Sequence, residues 1–156
     1  MQKKKLTKEQ ALQKLRHYCR YQERCRGEVK NKLFELGIHN DEHDEMIKEL
    51  IDENYLNEER LALAFVNGKF KMKQWGRKKI HYALKEKKLN EETIQKALGQ
   101  INNSDYLHIL QKHVKEKYAS LKHEQYLIRK KKTMDYLMQK GYETGLIKTF
   151  VEQLTN

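Results

Sequence analysis

Proline is absent from this chain of 156 residues, and glycine is held to seven, cysteine to two, serine to two and tryptophan to one. At the average usage of about 5 %, roughly eight prolines would be expected. A chain so poor in turn-formers is not a loop-rich sandwich, a collagen or a Pro-rich linker. Two cysteines, Cys19 and Cys25, exclude a disulfide framework and fit a reducing, cytosolic compartment. No run approaches the roughly 18 apolar residues of a membrane span. The N-terminus, Met1 to Leu6, is basic but leads into no apolar segment, so it is not read as a secretory signal. Leu, Ile, Val and Phe together number 36, which with 14 aromatics is enough for a thin core.

Catalytic signatures are missing too. The seven glycines are scattered with no GxG, so no phosphate loop is present. Ser104 and Ser120 lie outside any nucleophile-elbow context. His39 and His43 are four apart among acids, but they lack the HExxH order and cysteine partners of a zinc site. The expectation is a protein that is not an enzyme, with no metal and no cofactor.

What the chain does have is leucine at helical spacing and a long internal repeat. Leu12, Leu15 and Cys19, then Met46, Ile47 and Leu50, then Leu110 and Val114, then Ile147, Phe150 and Val151 each mark one helical face. Strand-like alternation is absent. Three segments share a leucine followed five positions on by an apolar residue: Leu33 with Ile38, Leu84 with Leu89, and Leu137 with Tyr142. Their spacing divides the chain into thirds, each with room for three short helices. Start signals fall at Thr7 (with Gln10 as a capping box), Asn40, Asn57, Asn90 and Ser104, and stop signals at Gly37 and Gly141. The predicted fold is all-α: three tandem three-helix repeats, residues 1–56, 57–102 and 103–156, stacked so that each covers its neighbour's apolar face.

Charge is polarised along this frame. The formal net charge is +11, from 33 Lys+Arg and 22 Asp+Glu. Asp41 to Glu59 holds nine acids and one base, whereas Lys69 to Lys88 holds nine bases and one acid. Lys69, Lys71, Lys73, Arg77, Lys78 and Lys79 alternate with Phe70, Met72 and Trp75 around a helix-to-helix turn. Bases can grip phosphate there while an aromatic stacks, or the aromatics can be core. Arg129, Lys130, Lys131 and Lys132 form a second block, which on a helix points all around the axis.

The ordered set of motifs resembles the RecX family of bacterial RecA regulators. It comprises Ala11 to Leu15, Arg24 to Leu33 with Gly37 and Ile38, Glu49 to Ala62 around Asn54, Tyr55 and Leu56, then Phe65, Val66 and Gly76. Arg77 to Leu84 continues it, and Lys140, Gly141, Tyr142, Leu146 and Ile147 close it. Departures are Lys88 in place of a repeat glycine, a more basic Leu127 to Thr133, and a longer stretch from Ile38 to Ile47. The resemblance implies an elongated, curved monomer seated in the groove of the RecA–single-stranded-DNA filament, inhibiting ATP hydrolysis and strand exchange. The ten bases above are the expected contacts, with direct DNA binding a weak addition. Two rival readings are a helix-turn-helix-like module on naked duplex and a scaffold for an acidic protein.

Overall fold

The computed structural model describes residues 5–155, so the basic stretch Met1 to Lys4 lies outside the described residues. Nine α-helices and one 3₁₀ turn make up the fold, with no strand among the described residues. The first unit holds α1 (Lys8–Tyr21), α2 (Arg26–Glu35), a 3₁₀ turn (Asn40–Glu42) and α3 (His43–Asp52). The second holds α4 (Glu58–Lys71), α5 (Arg77–Glu86) and α6 (Glu91–Leu98), and the third α7 (Asn103–Ser120), α8 (Tyr126–Gln139) and α9 (Thr144–Thr155).

The repeat has a common backbone cause. The middle helix of each unit ends in the same two hydrogen bonds, made to the repeat leucine and to the residue after it. Ile38, Leu89 and Tyr142 donate their N–H to the carbonyls of Leu33, Leu84 and Leu137 at 3.0, 3.4 and 3.2 Å. Gly37, Lys88 and Gly141 donate to Phe34, Lys85 and Met138 at 2.9–3.0 Å. This Schellman closure needs a left-handed residue at the turn. Gly37, Lys88 and Gly141 supply it at φ 75, 66 and 96. The six residues that carry the repeat signal are all buried, the three leucines at 0 % exposure.

The caps at Thr7, Asn57 and Asn90 stand where the sequence placed them. Two expected caps move. Asn40 opens the 3₁₀ turn instead, capped by His39, because the longer stretch after Ile38 needs an extra turn before α3. Asn102 caps α7 in place of Ser104, accepting from the Asp105 N–H at 3.0 Å.

Packing is organised around two cores. α1–α3 close on Leu12, Leu15, Leu33, Met46 and Leu50. The second and third units share one continuous core running from Ala62, Ile80 and Leu84 through Tyr106 and Leu110 to Leu137 and Val151. Cys19 belongs to the first core, and Cys25, buried at the start of α2, reaches across into the second. Burial raises both thiol pKa values, which keeps them protonated. The accessible surface, 10420 Å² for 18.9 kDa, exceeds the roughly 8,300 Å² of a compact monomer of that mass. The excess is that of a body drawn out along its repeats.

Candidate polyanion-binding face

The second and third units meet at a seam of main-chain atoms. The Gly76 N–H donates to the Lys140 carbonyl at 2.7 Å, and the Lys78 N–H to the Gly141 carbonyl at 2.9 Å. A Cβ on Gly76 would lie 2.3 Å from the Gly141 carbonyl, and one on Gly141 would lie 2.3 Å from Lys79 Cβ. Both glycines are therefore required for this approach. Tyr142 donates its hydroxyl to the Gln74 carbonyl at 2.7 Å, fixing the α4–α5 turn against the third unit.

Lysines lie over aromatic rings on both sides of the seam. In the second unit, Lys69 Nζ is 5.4 Å from the Phe65 centroid and 4.7 Å from that of Trp75. Lys79 Nζ is 4.4 Å from Trp75, and Lys87 Nζ is 5.7 Å from Phe65. In the third, Lys117 and Lys140 lie 4.6 and 5.7 Å from Tyr136. Such contacts are worth about 0.5–1 kcal/mol each at exposed sites. Their further effect is to hold flexible ammonium groups in place, so fewer rotamers are lost when an anion binds. Burial, with Lys140 and Lys112 adding, pushes His113 below its ordinary pKa. A protonated imidazole there would add a further positive charge beside Lys140.

The ten bases singled out by sequence fall into three sets. Lys71, Lys73, Lys78 and Lys130 have no ion-pair partner among the described residues. Lys69 and Lys79 rest on aromatic faces. The rest are engaged within the chain. Arg77 donates to Glu143 at 2.9 Å and to Asn103 at 3.0 Å, with its guanidinium 3.8 Å from the Tyr106 centroid. Tyr106, in turn, donates its hydroxyl to Glu143 and accepts from the Arg77 N–H at 3.1 Å. Burial and that carboxylate raise the Tyr106 hydroxyl pKa well above its ordinary value. Arg77 thus pins the seam. Arg129 donates to the Tyr118 carbonyl at 2.7 Å over the Tyr118 ring, Lys131 pairs with Asp135 at 2.7 Å, and Lys132 with Glu124 at 2.6 Å.

Phe70 is core, Trp75 sits half-buried at its edge, and Met72 is 83 % exposed between Lys71 and Lys73. Lys117 and Lys140, and Lys87 (which also pairs with Glu28 at 3.7 Å), lie over these rings without a signal in the sequence. They come from three helix ends far apart in the chain, and the shared aromatic beneath each pair is what unites them. The acidic stretch has a partner as well: Glu45, Glu53 and Glu58 neutralise Lys8, Arg16 and Arg26. Part of the basic surplus of α1 and α2 is thereby matched within the chain.

A tandem array of three-helix units, with lysines backed by aromatics on both sides of a main-chain seam, defines a helical-repeat protein. The chain belongs to the RecX family. The sequence model of the second three-helix domain of RecX matches residues 57–98, and that of the third matches 104–151. The regulatory protein RecX of Clostridium perfringens strain SM101 is 31 % identical over 132 residues, covering 83 % of this chain and 61 % of the relative. That of Oceanobacillus iheyensis is 26 % identical over 138 residues, covering 88 % and 51 %. The chain thus spans between half and about three-fifths of the length of these relatives, which are named as regulatory proteins rather than enzymes. The crystal structure of RecX from Lactobacillus salivarius superposes with a TM-score of 0.85 at 25 % identity, covering 95 % of this chain and 96 % of that one. No helix among the described residues is long and apolar enough to cross a membrane.

Proposed function

We propose that this protein binds the RecA–single-stranded-DNA filament and lowers RecA ATP hydrolysis and strand exchange, acting in the cytoplasm as a monomer without cofactor. The observation that carries this reading is the set of bases around the seam: lysines held on Trp75 and Tyr136, with Lys71, Lys73 and Lys78 of the same α4–α5 region unpaired among the described residues. An elongated body with ring-held positive charges on either side of the seam suits a groove lined by phosphates and carboxylates. Arg129 to Lys132 contribute less, since three of the four are engaged within the chain and Lys130 carries the remaining free charge.

The test is single-stranded-DNA-dependent ATPase of the cognate RecA, titrated with this protein. Stoichiometric amounts are expected to inhibit. The variant carrying Lys73→Glu, Lys78→Glu and Lys79→Glu is expected to need about tenfold more protein for half-inhibition, a change of about 1.4 kcal/mol in binding. Arg77 is left out because its loss would open the Glu143 pair and confuse folding with binding. Undiminished inhibition by the folded triple variant would remove the face from the site, and no effect of the unaltered protein would overturn the reading. Tighter, sequence-dependent binding to naked duplex than to RecA-coated strands would favour a plain DNA-binding module.

A further inference from the structure

A cavity of about 470 Å³ opens between α1 and α2 of the first unit, remote in sequence from the face just described. Its wall carries Lys14, His17, Tyr18, Tyr21, Arg24 and Lys32, and no carboxylate. That composition is selective. Four other surface cavities each include acids: Glu143 in one, Asp44 in another, Glu58 and Glu59 in a third, Asp105 in a fourth. Glu45, Glu53 and Glu58 neutralise Lys8, Arg16 and Arg26 elsewhere, but Lys14 has no ion-pair partner among the described residues.

The cavity also offers flat surfaces. Tyr21, at the last position of α1, is 79 % exposed, although an aromatic of this size is usually well covered. The Arg24 guanidinium lies 3.7 Å from the Tyr18 centroid and 5.9 Å from that of Tyr21. It is locked there by donating to the Tyr18 carbonyl at 3.1 Å and by Glu28 at 3.7 Å. Lys32 reaches within 5.5 Å of the Tyr18 ring, with Glu35 3.4 Å from its ammonium. A planar ligand meets an open phenol ring and a fixed guanidinium, while Lys14 is unpaired among the described residues and Lys32 can exchange its solvent-exposed Glu35 partner for an anion. The volume lies within the roughly 300–1,000 Å³ of small-ligand sites.

We infer that this cavity binds a nucleotide unit, the base stacking on Tyr21 and the phosphate held by Lys14 and Lys32. The nucleotide is free or part of a single strand, and the assay separates the two. Fluorescence anisotropy of a labelled twelve-residue oligothymidylate is measured at low salt with the full chain and without RecA, so its outcome is separable from that of the ATPase test. Base–aromatic stacking is worth about 1–3 kcal/mol, so Tyr21→Leu is expected to weaken binding about fivefold or more and Tyr21→Trp to preserve it. The loss on Tyr21→Leu should persist with Lys73→Glu, Lys78→Glu and Lys79→Glu in place, and should vanish on an abasic strand of the same length. Displacement of the strand by millimolar thymidine monophosphate would assign the cavity to free nucleotides, and no displacement would assign it to strands. Equal affinity of the unaltered protein and Tyr21→Leu for oligothymidylate would overturn the inference. Equal competition by polyglutamate at low charge excess would overturn it too, leaving a surface for acidic proteins.

Discussion

Lys88 occupies a conformation that its two counterparts reach as glycine. At φ 66 its Cβ crowds the following carbonyl, a cost of about 1–2 kcal/mol for an L-residue. Lys88→Gly is therefore expected to stabilise the fold by about 1 kcal/mol, once the larger unfolded-state entropy of glycine is set against the relief. The midpoint of urea unfolding should rise with unchanged slope. Glu91 is a second local case. It accepts from Gln95 at 2.9 Å and from Lys85 at 2.8 Å, and lies 2.7 Å from His81 Nε2. Those partners, Gln95 foremost, lower its pKa to about 2. A carboxylate depressed on folding stabilises above its unfolded pKa of about 4.3 and loses that effect as pH falls through the folded value. Side-chain carboxyl NMR is expected to show Glu91 still ionised at pH 3, and Lys85→Met should move its midpoint upward.

Among elements, the two repeat glycines that share a conformation differ in surroundings. Gly37 has open space where a Cβ would go, whereas Gly141 faces Lys79. Gly37→Ala is expected to cost only the left-handed term, about 1–2 kcal/mol. Gly141→Ala should add an overpacking term of about 1–3 kcal/mol and displace α5 from the α8–α9 turn. Urea denaturation of the two variants side by side measures the difference. The same contrast marks what was legible in the sequence. Leu33, Leu84 and Leu137 signalled three equivalent helix ends, because a Schellman turn is local and leaves a fixed spacing. Arg77 gave no sign that it would pair with Glu143, 66 positions away. It lay within a basic run and looked like its neighbours. Lys117 and Lys140 were equally hidden, since only the fold places both over Tyr136. Local chemistry announced the elements, while the division of bases into free, ring-backed and internally paired sets waited on the fold, through contacts within a unit for Arg129 and Lys132 and between units for Arg77.

At the scale of the molecule, the two inter-unit seams are of different kinds. The second and third units share a core and a main-chain junction. The first joins the second through Cys25 and through ion pairs, Arg60 with Glu23 at 2.5 Å, Arg26 with Glu58 at 3.5 Å and Lys87 with Glu28 at 3.7 Å. A fragment of residues 57–155 is therefore expected to unfold cooperatively, with helical circular dichroism in proportion to its length. Residues 57–102 alone should not, because Phe70 and Ile80 would lose Tyr106 and Tyr142 as neighbours. Independent folding of the shorter piece would show that the shared core is not required.

The Gly76–Gly141 junction has an evolutionary consequence. Its hydrogen bonds run between peptide groups, which every residue type possesses, so the angle between the two units is insulated from most changes in side-chain identity. Drift can rewrite the exposed residues of α5 and α8 and retune the pattern of charge offered to a partner without altering the geometry in which that pattern is presented. Two positions lacking a Cβ leave their neighbours free to vary.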